Sequence, residues 1–217
     1  MLFRSFLDVD GTLIEIAEAP DLVTVPSDLP PLLTRLRELL GGAIAIVSGR
    51  AISDIDRLLA PFVAPSAGEH GAAIRMPDGS LQEVACEVAV PEDWKATLER
   101  ETKKWPGVLL EEKPHGVTIH YRLAPMRSDD VWALARSLVS ESNRWFRLLP
   151  ARMAVEIGIK NTNKGEAVET LMARAPFNSR RPIYIGDDFT DEAGISAAAK
   201  LGGQGLRVGE FFAGDPA

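Results

Sequence analysis

The 217-residue sequence contains a single cysteine, Cys86. No internal disulfide can therefore form, no cysteine-based metal site can be assembled, and a buried bystander is the expected role of Cys86. No apolar run approaches the roughly 20 residues that a bilayer helix needs. The opening MLFRSFLDVDG runs straight into strand-like sequence without the segments of a signal peptide, so a cytoplasmic location is expected. A basic excess is missing too. With a net charge of −7, phosphate backbones and anionic lipid surfaces would repel the chain, which argues against nucleic-acid and membrane partners. An anionic small molecule is still allowed, because one divalent cation and a few local Lys or Arg side chains can reverse the field inside a cleft.

What is present suits a folded globular protein: 46% hydrophobic and 25% charged residues, with enough length for one large domain or a medium domain carrying a smaller one. Residues 3–9 (FRSFLDV), 43–47 (AIAIV) and 183–186 (IYIG) are short apolar runs that end where turn residues begin, as buried parallel strands do. Leu29, Leu32, Leu33, Leu36, Leu39 and Leu40 fall at helical spacing, with Ser27 as N-cap and Gly41-Gly42 as the stop. Strand and helix alternate again after residue 164. This order predicts an α/β core with a mostly parallel sheet, built from residues 1–72 and 158–217.

The middle, 73–157, pairs strand-like runs back to back and reads as an inserted α+β cap. In its hairpin candidate, VLLEEK-PHG-VTIHYR, alternation puts Val117, Ile119 and Tyr121 on one face and Thr118, His120 and Arg122 on the other. By the same count Glu111 and Lys113 share a face, and Glu156 points away from Val155 and Ile157. The cap sheet is thus expected to have an apolar side under its helices and a polar side.

Asp8-Val9-Asp10-Gly11-Thr12 follows the first strand, at the sheet edge where α/β ligand sites form. Asp187-Asp188 and Asp191 follow the 183–186 strand and project at the same edge. Asp8, Asp10 and Asp187 suffice for a magnesium ion, with Asp188 and Asp191 in support; the plain alternatives are an acidic turn and a helix cap. Ser48-Gly49-Arg50 supplies a hydroxyl, backbone N–H groups and a helix start for phosphoryl oxygens. Lys164, also at a helix start, can neutralise phosphate or stand as solvated surface.

In order, D-x-D-G-T, S-G-R, N-K-G and G-D-D-x-x-D resemble the haloacid dehalogenase superfamily of phosphatases over nearly the whole chain. The resemblance implies a Rossmann-like core with a type II cap, an Asp8 nucleophile forming an aspartyl phosphate, and Asp10 as acid and base. It further implies that Ser48 and Lys164 hold the phosphoryl group, and that Asp8, the Asp10 carbonyl and Asp187 bind Mg²⁺.

A narrower resemblance, through PDLVTVP, AIAIVSGR, AGEHG, LEEKPHGVTIHYR and NTNKGEAV, is to the trehalose-6-phosphate phosphatase family. It implies hydrolysis of that sugar phosphate, with substrate contacts from Gly49, Arg50, Glu69, His70, Glu111, Lys113, His120, Arg122 and Glu156. The pattern departs at Glu156-Ile157-Gly158-Ile159, where the family's E-x-K-P is absent, and the tail after the LRVG strand is short. Other sugar phosphates, such as sucrose phosphate or mannosylglycerate phosphate, and a non-catalytic receiver-like module are the rival readings. A monomer is the favoured state, although nothing in the sequence dictates it. Hinges are expected near 71–74 and 157–161.

Overall fold

The computed structural model describes residues 3–19, 22–83, 88–140 and 143–209. Cys86 and the Pro20-Asp21 start of one quoted block lie outside them.

The strands β1 (Phe3–Leu7), β2 (Ile44–Val47), β3 (Ser66–Gly68), β4 (Ala73–Arg75), β5 (Leu81–Glu83), β10 (Arg181–Gly186) and β11 (Gln204–Arg207) form a seven-stranded sheet in the order β11-β10-β1-β2-β3-β4-β5. From β11 to β3 the neighbours run parallel; β4 and β5 add an antiparallel edge. The parallel strands at the centre are short and apolar because both their faces are covered. Helices α1 (Leu29–Leu39), α2 (Ile52–Leu59), α5 (Lys164–Met172) and α6 (Glu192–Lys200) belong to this unit. Its core contains Phe6, Ala45, Val47, Val168, Leu171, Phe177 and Tyr184. The strand order reverses on either side of β1, so the loop leaving β1 sits at a switch point, where a crevice opens between diverging connections.

Helix α1 begins one residue later than the sequence suggests. Asp28, not Ser27, is the N-cap residue, and it makes no side-chain cap bond. Pro30 and Pro31 in the first turn supply the fixed φ that starts the helix without one. The stop is as expected: Gly41 and Gly42 take φ of 57° and 83°, a left-handed turn that side chains disfavour.

The second unit comprises residues 17–23 and 85–161. Strands β6 (Leu109–Lys113), β7 (Gly116–His120), β8 (Phe146–Ala151) and β9 (Ala154–Ile159) form a four-stranded antiparallel sheet in the order β6-β7-β9-β8. Helices α3 (Glu92–Thr102) and α4 (Ser128–Leu138) pack on it. Leu98, Val131 and Ala135 are buried with Val117, Ile119, Val155 and Ile157, which is the apolar side predicted by alternation. His115, which reads as an ordinary turn residue, is buried. Among the described residues no helix is long and apolar enough to cross a membrane.

Candidate active site

Asp8 is the first residue past β1, and its amide donates to the Ile185 carbonyl of β10 at 2.9 Å. That bond ties the β1 exit to the β10 exit, so the two acidic loops are held together before any side chain acts. Gly11 turns the chain away with φ of 79°. A Cβ on Gly11 would stand 2.0 Å from Asp187 Oδ2. The glycine is therefore required twice, for its backbone angle and for the space that Asp187 occupies. Asp8, Asp187 and Asp191 each place a carboxylate oxygen within 4.8 Å of the others.

Lys164, at the start of α5, answers this charge. Its Nζ donates to Asp8 Oδ1 at 2.7 Å and to Asp191 Oδ1 at 2.7 Å. Asn163 caps α5 by accepting from the Glu166 amide at 2.9 Å, which fixes where the lysine leaves the helix. Asp8, Lys164 and Asp191 are 4%, 3% and 0% exposed, so these bonds operate in a medium that screens them weakly. The solvated-surface reading of Lys164 is excluded by that burial.

The electrostatics have a clear direction. Burial pushes the Asp8 carboxyl well above its ordinary range; Lys164 opposes the shift, and the Asp191 charge adds to it. Burial works against the Lys164 ammonium, but Asp8, Asp191 and Asp188 outweigh it and hold the lysine firmly charged. The half-buried Asp187 is pushed up to about 6, by desolvation first and then by Asp188 and Asp191. One ammonium among so many carboxylates leaves an excess of negative charge on converging hard oxygens. A small divalent cation fits that donor set, with Asp8 and Asp187 as the better donors. Asp191 already accepts from Lys164 and from Tyr184 OH on Oδ1, and from the Asp188 amide on Oδ2 at 3.1 Å.

Asp188 and Thr190 serve the local backbone. Asp188 accepts from the Thr190 amide and hydroxyl, both at 2.6 Å, while Asp191 accepts from the Asp188 amide, giving a capping box over Phe189–Asp191. Capping therefore explains Asp188 and part of Asp191, whose other oxygen goes to the lysine.

The loop after β2 brings Ser48, Gly49 and Arg50 to the same sheet edge. Ser48 is buried and its Oγ accepts from the Arg50 amide at 3.2 Å. The Arg50 side chain grips Asp10, Nε to Oδ2 at 2.6 Å and Nη2 to Oδ1 at 2.7 Å, so its guanidinium is directed at the carboxylate that the sequence marks as acid and base. Asp10 is thus paired with Arg50, and its charge reaches Asp8. Glu69 and His70 form a left-handed turn, φ 48° and 56°. It is held by Glu69 N–H to the Arg50 carbonyl and His70 N–H to the Ser48 carbonyl, both at 3.0 Å. Non-glycine residues reach this region at a cost, and functional loops are where such strain concentrates. The turn lays the His70 ring where a Gly49 Cβ would be, 2.7 Å from Nε2.

The second unit has its own polar cluster. Register aligns Glu111, Thr118 and Glu156 across β6, β7 and β9. Lys113 donates to Glu156 at 2.6 Å, Thr118 Oγ1 to the same carboxylate at 3.1 Å, and His120 Nε2 meets Glu111 at 2.7 Å. Burial opposes ionisation of Glu111, yet His120 and Lys113 hold its carboxyl below the usual range. Arg122 is spent differently: Nη1 donates to the Ala17 carbonyl at 2.6 Å and Nη2 to the Arg152 carbonyl at 2.9 Å. It ties Ala17 to Arg152 within this unit. Thr118 is a member that sequence reading passed over, although its place opposite Glu156 follows from the same alternation.

Tyr184 was also not legible as a site residue. Its hydroxyl donates to Asp191 Oδ1 at 2.6 Å, yet in the sequence it is one apolar-strand residue among several.

With this geometry the chain matches the family model described as trehalose-phosphatase over residues 6–211. It is 44% identical over 204 residues to a probable trehalose-phosphate phosphatase of Sinorhizobium fredii, covering 94% of this chain and 77% of that protein. It is 37% identical over 206 residues to the trehalose-6-phosphate phosphatase of Escherichia coli, covering 94% and 76%. Its fold superposes on the C-terminal domain of the C. albicans trehalose-6-phosphate phosphatase with a TM-score of 0.79 at 21% identity, covering 92% of this chain and 75% of that one. Sequence and site together lead to one assignment: the chain belongs to the trehalose-phosphatase family.

Proposed function

We propose that this protein is a magnesium-dependent phosphomonoesterase that converts trehalose 6-phosphate to trehalose and phosphate through an aspartyl phosphate on Asp8. The observation that carries the reading is the buried carboxylate at the β1 exit, bonded through Oδ1 to Lys164 at 2.7 Å, with Asp187 brought in over Gly11. Lysine on one oxygen leaves the other oxygen of Asp8 to attack phosphorus. The bond from phosphorus to the sugar oxygen then breaks, and Asp10 gives that oxygen a proton. Asp10 next takes a proton from water, whose oxygen attacks phosphorus and frees Asp8. Ser48 and the amides of its loop hold phosphoryl oxygens, as donors at a strand-to-helix turn do. A magnesium ion held by Asp8 and Asp187 would screen the approach of two anions. Arg50, bidentate on Asp10, aims that carboxylate. Glu111, Lys113, His120 and Glu156 are the groups we assign to sugar hydroxyls, since directional donors and acceptors on a polar face suit a disaccharide.

A panel of phosphorylated sugars with a simple aryl phosphate, assayed for phosphate release, tests the reading. Trehalose 6-phosphate is expected to give the highest kcat/KM, with sucrose phosphate and mannosylglycerate phosphate well below. Chelator should stop turnover, and Mg²⁺ should restore it. Equal rates on the sugar and aryl esters would defeat the substrate assignment, and one stoichiometric phosphorylation without turnover would favour a receiver-like module.

Metal binding should depend on pH in a defined direction. The Asp187 carboxyl is raised from 3.8 to about 6, so in the metal-free fold it holds a proton through a window where the unfolded chain has lost it. The stabilisation that this proton brings is present at the acid end of that window and is lost as pH rises towards 6. Because a cation must displace the proton, Mg²⁺ affinity is expected to be flat near pH 7 and above and to fall by about tenfold per unit below 6. Titration calorimetry at pH 5, 6, 7 and 8 measures this; an affinity unchanged at pH 5 would remove Asp187 from the ligand set.

A further inference from the structure

We propose that Tyr184 is a positioning residue for the phosphatase reaction: through Asp191 it fixes the Lys164 ammonium, and through Lys164 it fixes which oxygen of Asp8 faces phosphorus. The inference rests on the catalytic reading above and extends it to a residue that touches neither substrate nor metal.

The bonds form one line. Tyr184 OH donates to Asp191 Oδ1 at 2.6 Å; Lys164 donates to the same oxygen at 2.7 Å and to Asp8 Oδ1 at 2.7 Å. Tyr184 and Asp191 are fully buried, and Asp8 and Lys164 nearly so. In that setting a carboxylate orients its partners firmly only if its own lone pairs are occupied. Asp191 Oδ2 is turned by the Asp188 amide. Among the described residues the tyrosine is the one donor to Oδ1 besides the lysine, so without it the lysine would both hold Asp191 and be held by it. The aligned ammonium at Asp8 then loses its fixed reference.

Two glycines are shaped for this arrangement. On β10, a Cβ at Gly186 would stand 2.2 Å from Asp191 Cγ. On α6, a Cβ at Gly194 would stand 2.3 Å from Tyr184 Cε2. Gly194 lies inside a helix, where glycine costs about 1 kcal/mol relative to alanine, and the space it leaves is filled by the tyrosine ring. The ring alone could be supplied by phenylalanine at the same volume. What the hydroxyl adds is the bond to Asp191. Burial first, and then the Asp191 and Asp8 charges, raise the Tyr184 hydroxyl well above its ordinary range, so it stays a donor throughout the working pH range.

The test compares Tyr184→Phe with the wild type on trehalose 6-phosphate at saturating Mg²⁺. Expected is a kcat lowered by about 10- to 100-fold, the usual reach of such an outer contact, with KM within twofold and an unchanged far-ultraviolet spectrum. A double-mutant cycle adds Asp191→Asn: in that background Tyr184→Phe is expected to have no further effect, because the path to Lys164 is already cut. A kcat within twofold of wild type in Tyr184→Phe, or losses that multiply in the double variant, would overturn the role of Tyr184. Should Asp191→Asn fail to fold, the split between kcat and KM in the single variant decides. A wild type without phosphatase activity would sink the catalytic reading itself, whereas an active wild type with an unimpaired Tyr184→Phe would sink this inference alone.

Discussion

Asp8→Asn is expected to abolish turnover, by at least about a thousandfold in kcat, while leaving the metal-free protein as stable as the wild type or more so. Asparagine has the shape of aspartate but no nucleophilic oxygen of comparable strength, so no aspartyl phosphate can form. The effect on stability follows from the charge. Burial, with Asp191 beside it, raises the Asp8 carboxyl well above 3.8, which means that the folded state resists the ionised form. A carboxylate raised in the fold lowers stability at pH values above its unfolded range. A neutral amide removes that cost, and Lys164 keeps Asp191 as a partner at 2.7 Å. Phosphate release and thermal unfolding in chelator check both halves. Residual activity within tenfold of wild type would refute covalent catalysis at this position; a large fall in the unfolding midpoint would refute the electrostatic account.

The second large effect is expected at Lys164, where activity and stability should fall together. In Lys164→Met the buried carboxylates of Asp8 and Asp191 face each other without the ammonium that both accept from. Removing one member of a buried ion pair costs about 3–5 kcal/mol, which for a chain of this size is roughly 6–20 °C in the unfolding midpoint. Mg²⁺ should recover part of the loss, because the cation supplies charge to the same oxygens. The variant Asp8→Asn/Lys164→Met should be more stable than Lys164→Met alone, since it leaves one stranded carboxylate in place of two. If Lys164→Met unfolded at the wild-type midpoint, the ammonium would not be the counter-charge of the cluster. Thus the two substitutions separate nucleophile from counter-charge: one removes activity and spares the fold, the other takes both.

Much of this site could be read along the chain because its signals are local. Asp8, Asp10, Ser48, Lys164 and Asp187 each stand where a strand ends or a helix begins, and the alternation of apolar and turn residues marks those positions. Alternation also set the polar face of the second sheet, down to Glu111 and Lys113 on one side with Glu156. Arg50 and Arg122 were harder. Each carries a long side chain with several donors, and which acceptor it reaches depends on what lies across space: Asp10 for Arg50, and the carbonyls of Ala17 and Arg152 for Arg122. Ser27 failed as a cap because the two prolines of the first turn start α1 on their own.

The sequence by itself determined the class of chemistry and the ends of the elements that carry it, since strand, helix and turn preferences act over a few residues. Only the tertiary structure decided how the charges are shared: that Asp191 belongs to Lys164 and Tyr184, that Arg50 belongs to Asp10, and that Gly11, Gly186 and Gly194 leave room for their neighbours. Those pairings join residues from different strands and helices, and in a buried, weakly screening interior, distance and burial rather than residue type set which charge balances which.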